Sequence, residues 1–363
     1  MRKTKVLFVG SFKYQTKDGS LGGQMFACST LIDSVLSDAI DWSLIDSTAD
    51  SNITAPIYTR AFKAFKRTLV FFFRLVFSRV NTVLIFTADG ASFIEKGLMS
   101  LMAKLFRKKV ILAPRSGFIL RDVEQSKFMR FYVRMVTSKV DYVVCQSQFW
   151  VDFFKEFSGK ETDKLPVIHN WIDTAKYKAI GRELTPLTIN VLFMSWVDRN
   201  KGIFDLVKSA KKVCTQHENV IFHIAGNGAA FNKIKDLVDQ MELNDSFIFY
   251  GWVNGKDKEE LLANSHIYVL PSHFEGFPNS LVEAMASGLA VISTSVGSVN
   301  DILVHKENGL VFEAGDVQQL SDCLMTLVED QALRVKIAKN GYQTVHANNS
   351  IDYAVENFKK ILL

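Results

Sequence analysis

Cysteine is scarce and scattered: Cys28, Cys145, Cys214 and Cys323 form no C-x-x-C pair, so neither a disulfide framework nor a thiolate zinc site is expected. That usage fits a reducing cytoplasm. Long apolar runs are lacking too, since the most apolar stretch, Thr68 to Phe77, is interrupted by Arg74 and falls well short of the roughly 20 residues a membrane span requires. The opening Met1-Arg-Lys-Thr-Lys has the basic flank of a signal peptide, but the apolar run behind it is too short, and Val6 to Val9 reads as a buried strand. There is no low-complexity tract and no short repeat. His169, His217, His223, His266, His273, His305 and His346 show no metal-ligand spacing, and no D-x-D pair stands out, so no metal and no cofactor are expected.

What is present is an ordinary globular composition, 48% hydrophobic and 22% charged over 363 residues, enough for two domains with their own cores. Charge is unevenly spread. Residues 1–180 carry a net +11 and residues 181–363 a net −6, which points to an anionic partner on the first half. Short apolar runs alternate with amphipathic segments, and Val6–Val9, Thr82–Phe86, Val110–Ala113, Tyr142–Cys145 and Val167–His169 read as strands in the first half. Asn190–Met194, Val220–Ala225, Phe247–Tyr250, Ile267–Leu270 and Ala290–Ser293 repeat the pattern in the second. The α/β reading is therefore two Rossmann-like, doubly wound domains, 1–180 and 181–349, with a linker at Tyr177–Leu187 and an active site expected in the cleft they face. An amphipathic helix, 350–363, is expected to pack back on the first domain.

The stretch Leu270-Pro-Ser-His-Phe-Glu275-Gly-Phe-Pro-Asn-Ser280-Leu-Val-Glu283-Ala-Met-Ala-Ser-Gly288 carries the strongest chemical signal: a strand end, a Gly- and Pro-rich turn, then a helix start suited to a phosphate. Alone, Ser280 and Glu283 also fit an S-x-x-E capping box. The whole stretch, however, closely resembles the E-x7-E motif of retaining glycosyltransferases of family 4. The likeness extends from the Gly22-Gly23 loop through Asn170-x-x-Asp173 to Gly226-Asn-Gly228. It implies the GT-B fold, a metal-independent transfer, and a nucleotide diphosphate sugar, a UDP-sugar favoured, as donor. The implied acceptor is a glycan or lipid-linked glycan of bacterial surface polysaccharide synthesis, and the implied place is the cytoplasm or the inner face of its membrane.

By the same resemblance Glu283 takes both ribose hydroxyls, as a two-oxygen acceptor can, and Glu275 takes hydroxyls of the transferred sugar. Backbone at Asn279, Ser280 and Leu281 meets sugar and diphosphate, and Val253 lies beside the base. Lys201, in Arg199-Asn-Lys201-Gly202, is the first cation for the leaving diphosphate, with Arg199 second. Gly22 and Gly23 let backbone amides approach the same group. Two positions depart from the family: Ser195-Trp196 stands where G-R is common, and Arg115, in Ala113-Pro-Arg115-Ser-Gly117, lies where many relatives have a histidine, which makes it a candidate acceptor or diphosphate contact.

Two rival readings carry distinct signatures. A nicotinamide-dependent dehydrogenase needs G-x-G-x-x-G, and neither Gly10-Ser-Phe nor Gly226-x-Gly228 followed by Phe231 supplies it. A non-catalytic nucleotide-sugar or polyanion binder would use the basic first half, but the paired glutamates favour an enzyme, and no nucleic-acid partner is expected. Arg60, Lys63, Lys66, Arg67, Arg74 and Arg79 among Phe, Leu and Val form a candidate interfacial segment for an anionic membrane.

Overall fold

The computed structural model describes residues 3–12, 23–48, 56–177 and 187–363. They form two compact units, Met1–Trp171 with Ile351–Leu363, and Ile172–Ser350. The chain passes from the first to the second at Trp171 and returns at Ile351. Residues 178–186, most of the stretch read as a linker, lie outside the described residues.

The first unit is built on a parallel sheet of β1 (Thr4–Gly10), β2 (Ile40–Asp46), β3 (Thr82–Thr87), β4 (Lys109–Pro114) and β5 (Tyr142–Val143), in the order β2-β1-β3-β4-β5. Strands β1 and β3 are buried nearly end to end because helices cover both faces, as the unbroken apolar runs require. The last helix, Ile351–Leu362, belongs to this unit and buries Ala354, Val355, Phe358, Ile361 and Leu362, with the Phe358 ring 5.9 Å from Phe86 and 5.7 Å from Trp171. The second unit holds β6 (Ile189–Met194), β7 (Val220–Ala225), β8 (Phe247–Gly251), β9 (Ile267–Leu270), β10 (Ala290–Thr294) and β11 (Leu310–Phe312), all parallel, in the order β11-β10-β9-β6-β7-β8.

Three elements differ from the sequence reading. Strand β2 escapes it because it lies at a sheet edge and only Ile40 and Ile45 of its seven residues are buried, so it lacks an apolar run. Strand β11 is only three residues long. Val167–His169 is not a strand, since Val167 makes one isolated bridge to Cys145 and the pairing goes no further.

In both sheets the strand order reverses once along the chain: between β1 and β3 in the first, and between β6 and β9 in the second. At such a point neighbouring connections leave in opposite directions and open a crevice at the carboxyl ends of the strands.

Candidate active site

The connections leaving β6 and β9 meet at the reversal point of the second sheet. After β6 the chain turns through Asp198, whose carboxylate accepts from the Lys201 amide at 3.1 Å, and then enters the helix Ile203–Gln216. Gly202 joins the two with φ +67°, and a Cβ there would stand 1.8 Å from the Pro271 carbonyl oxygen, so only glycine allows the two loops this close. The His273 amide donates to the Asn200 carbonyl at 2.7 Å, and its ring lies 2.8 Å from the Asp205 carboxylate. On the other side the Thr294 hydroxyl donates to the Ser272 carbonyl at 2.6 Å.

This frame brings Lys201 and Glu275 together. The Lys201 ammonium donates to Glu275 Oε1 at 2.6 Å, and the Ser272 hydroxyl donates to the same oxygen at 2.8 Å. Glu275 is only 7% exposed, so its charge is held by these partners rather than by water. A few residues on, the helix Asn279–Ala286 starts behind Pro278, which has no side-chain cap. The capping-box reading is thereby corrected: the Ser280 hydroxyl accepts from the buried Tyr268 phenol at 2.7 Å, and Glu283 Oε1 accepts from Lys258 at 2.6 Å. The Tyr177 hydroxyl also bonds Glu283, and burial, followed by the charge of that carboxylate, raises its pKa well above the ordinary phenol range.

The remaining candidates are dispersed. Leu281 is buried in the core of the second unit, where Val253 packs from its rim. Arg199 is exposed and lies over the Phe204 ring at 5.2 Å, an aromatic rather than an acidic contact. Trp196 is 48% exposed and tilted against Trp252 at 5.4 Å. In the first unit Gly23 opens the helix Gly23–Ile32, while Gly22 lies outside the described residues. Arg115 follows β4 with its guanidinium 4.7 Å from the Trp171 ring and 5.3 Å from Phe86. Burial lowers its pKa to about 10, and its buried Nη1 has no hydrogen-bond partner among the described residues.

Lys258, Tyr177 and Ser272 were not singled out by the sequence. Ser272 lies inside the motif stretch and could have been, but Lys258 and Tyr177 reach Glu283 only through the tertiary fold. Among the described residues no group of three or more His, Cys, Asp or Glu side chains is placed to hold a metal.

The fold has counterparts among known proteins. The structure aligns with sucrose-phosphate synthase from Thermosynechococcus elongatus at TM-score 0.79 and 17% identity, covering 99% of this chain and 98% of that one. It aligns with Anabaena HepE in complex with UDP and glucose at 0.76 and 16%, covering 99% of both. The two parallel sheets are thus the Rossmann-like pair of the GT-B fold. Residues 186–344, within the second unit, match the family described as glycosyl transferases group 1. An uncharacterized glycosyltransferase of Methanocaldococcus jannaschii is 24% identical over 276 residues, 72% of this chain and 70% of its own length. A capsular polysaccharide biosynthesis glycosyltransferase of Staphylococcus aureus is 27% identical over 194 residues, 53% and 49%. With that relative the match spans about half of its length.

Proposed function

We propose that this protein transfers a sugar, with retention of configuration, from a nucleotide diphosphate donor to a glycan or lipid-linked glycan acceptor in surface polysaccharide synthesis. The observation that carries this reading is the Lys201–Glu275 pair, its carboxylate buried, set where the connections after β6 and β9 meet in a unit that matches the glycosyl transferases group 1 family. A UDP-sugar is the favoured donor, in keeping with the nucleotide bound to the HepE neighbour.

In this reading Glu283 exchanges Lys258 for the two ribose hydroxyls, and Glu275 orients hydroxyls of the transferred sugar. Lys201 and the amino end of the Asn279–Ala286 helix face the diphosphate. When the bond from the anomeric carbon to the diphosphate breaks, negative charge grows on the departing oxygen, and a fixed ammonium beside it lowers the barrier without a metal. The acceptor hydroxyl bonds to the anomeric carbon on the face the diphosphate leaves, and its proton passes to the departing diphosphate oxygen. Asn279, Ser280 and Leu281 contribute backbone, Val253 lines the base, Gly22 and Gly23 are candidate backbone contacts for a diphosphate, Arg199 is a secondary cation, and Arg115 awaits an anionic group of acceptor or donor. A lipid-linked acceptor would bring the protein to the inner membrane face as a peripheral enzyme.

A thermal-shift panel of UDP-, GDP- and ADP-sugars beside nicotinamide dinucleotides tests the reading. A ligand at a hundred times its Kd stabilises the folded chain by about 2.7 kcal/mol. A clear rise with a UDP-sugar is expected, whereas a response to the nicotinamide dinucleotides alone would overturn it.

A further inference from the structure

The helix Ile57–Phe77 turns its greasy side outward. Of its 21 residues only Phe71 and Leu75 are buried. Phe62, Phe65, Leu69, Phe72 and Val76, spaced alternately three and four apart, are all exposed, with Phe62 at 68% and Phe65 at 66%. The side facing the protein carries two arginines instead: Arg67 makes a two-pronged bond to Glu95 at 2.7 Å, and Arg74 reaches the Ser43 hydroxyl. Two cations expected to face a membrane are therefore engaged inward, which leaves Arg60, Lys63 and Lys66 on the exposed part.

The neighbouring helices continue the surface. Gly90–Leu105 packs against both Ile57–Phe77 and Lys127–Lys139, and it exposes Ile94, Leu98 and Leu105. Phe72 meets Phe106 edge-on at 5.9 Å, and the Tyr132 hydroxyl donates to the Ile94 carbonyl at 2.8 Å, so the three helices form one continuous face. Lys127–Lys139 adds exposed Phe128 and Phe131 between Lys127, Arg130 and Arg134. Neither Ile57–Phe77 nor Lys127–Lys139 contains an acidic residue, and Glu95, on the helix between them, is already paired with Arg67.

We propose that this face of the first unit seats the protein on an anionic lipid bilayer, its aromatic and aliphatic side chains entering the headgroup boundary and its flanking cations meeting lipid phosphates. A contiguous apolar surface of this extent marks an interaction site, and an apolar face flanked by cations is the composition of an interfacial helix. The helix does not span: it is about 30 Å long, yet it carries five cations, and no helix among the described residues is long and apolar enough to cross a membrane. A second copy is a poorer occupant, because a symmetric contact would set the same cations against each other. The inference deepens the lipid-linked acceptor reading but draws its support from the surface alone.

Sedimentation of the full chain with vesicles tests it without reference to activity. Binding is expected with phosphatidylglycerol-containing vesicles at low salt, with little to pure phosphatidylcholine vesicles and a decline as salt rises. The exposed pairs Phe62→Ser with Phe65→Ser, and Lys63→Glu with Lys66→Glu, should each lower partitioning by about tenfold or more while leaving the circular dichroism spectrum and the donor thermal shift unchanged. Equal partitioning of wild type and both variants would overturn the proposal. So would a concentration-dependent dimer that Phe62→Ser with Phe65→Ser abolishes, which would assign the face to a second copy. Loss of the donor shift in wild type would instead strike the transferase reading and leave this one standing.

Discussion

At the carboxyl edge of the second sheet Glu275 and Glu283 each hold a lysine, at 2.6 Å in both cases. In the first unit, among the described residues, the buried Lys96 ammonium of the helix Gly90–Leu105 bonds only the Ser92 hydroxyl, at 2.8 Å, and Arg115 keeps a buried nitrogen unpartnered. The two regions therefore differ in how their charges are met. Acids and cations of the second unit neutralise one another, so in the proposed reading a donor must exchange with an existing partner. The cations of the first unit are held at a cost to folding and would gain from an arriving anion.

The largest expected effect breaks the preformed side of this contrast. Lys201→Ala should lower turnover by about 10²–10³, the usual loss for one preorganised donor. It should also lower stability by up to about 3–5 kcal/mol, because it leaves Glu275 buried without its cation. Steady-state kinetics and urea melts on the same samples check both, and wild-type turnover would remove Lys201 from the site.

Lys96 tests the opposite side. Burial lowers its pKa to about 8, from an ordinary value of 10.5. Below pH 8 both folded and unfolded chains carry the charge and the folded state bears the full penalty. Between about pH 8 and 10.5 the unfolded chain binds the extra proton, so stability attributable to this group rises with pH. Lys96→Met should thus stabilise the protein at pH 7 by something on the order of 2 kcal/mol, with the advantage vanishing toward pH 10.5. A pH series of melting temperatures for the two proteins shows whether the gap closes.

Glu283→Ala should weaken donor binding by roughly tenfold or more, as the loss of a charged acceptor implies. Its folding cost should be that of a lost charged hydrogen bond, about 1.5–3 kcal/mol, rather than of a lost cap, since Glu283 bonds Lys258 and Tyr177 and caps nothing. Calorimetric titration with a UDP-sugar measures the first part and thermal unfolding the second. The smallest effect belongs to Trp196→Arg: half-exposed against Trp252, this position should accept a cation with a stability change within about 0.5 kcal/mol.

Local pattern made much of this legible. Ile267–Leu270 forms a strand at the very residues its apolar run suggests, because a strand covered on both faces has no polar alternation to blur it. Glu275 and Lys201 could be read as a pair of interest because each lies in a short stretch that follows a strand. Their contact could not, since the 74 positions that separate them close only when β6 and β9 become neighbours. Lys258 and Tyr177 left no local signal for the same reason. The outward apolar side of Ile57–Phe77 was hidden too: a periodic apolar stripe looks the same whether it meets a core or a solvent, and the inward turn of Arg67 and Arg74 reveals which.

The central claim is that the Glu275–Lys201 pair acts on the sugar of a nucleotide donor, and its most direct test follows release of labelled sugar from a UDP-sugar by wild type and Glu275→Gln, with donor Kd measured on both. The pair predicts a loss in turnover on the order of 10² or more with Kd changed by only a few fold. Undiminished turnover in Glu275→Gln, with intact donor binding, would contradict it.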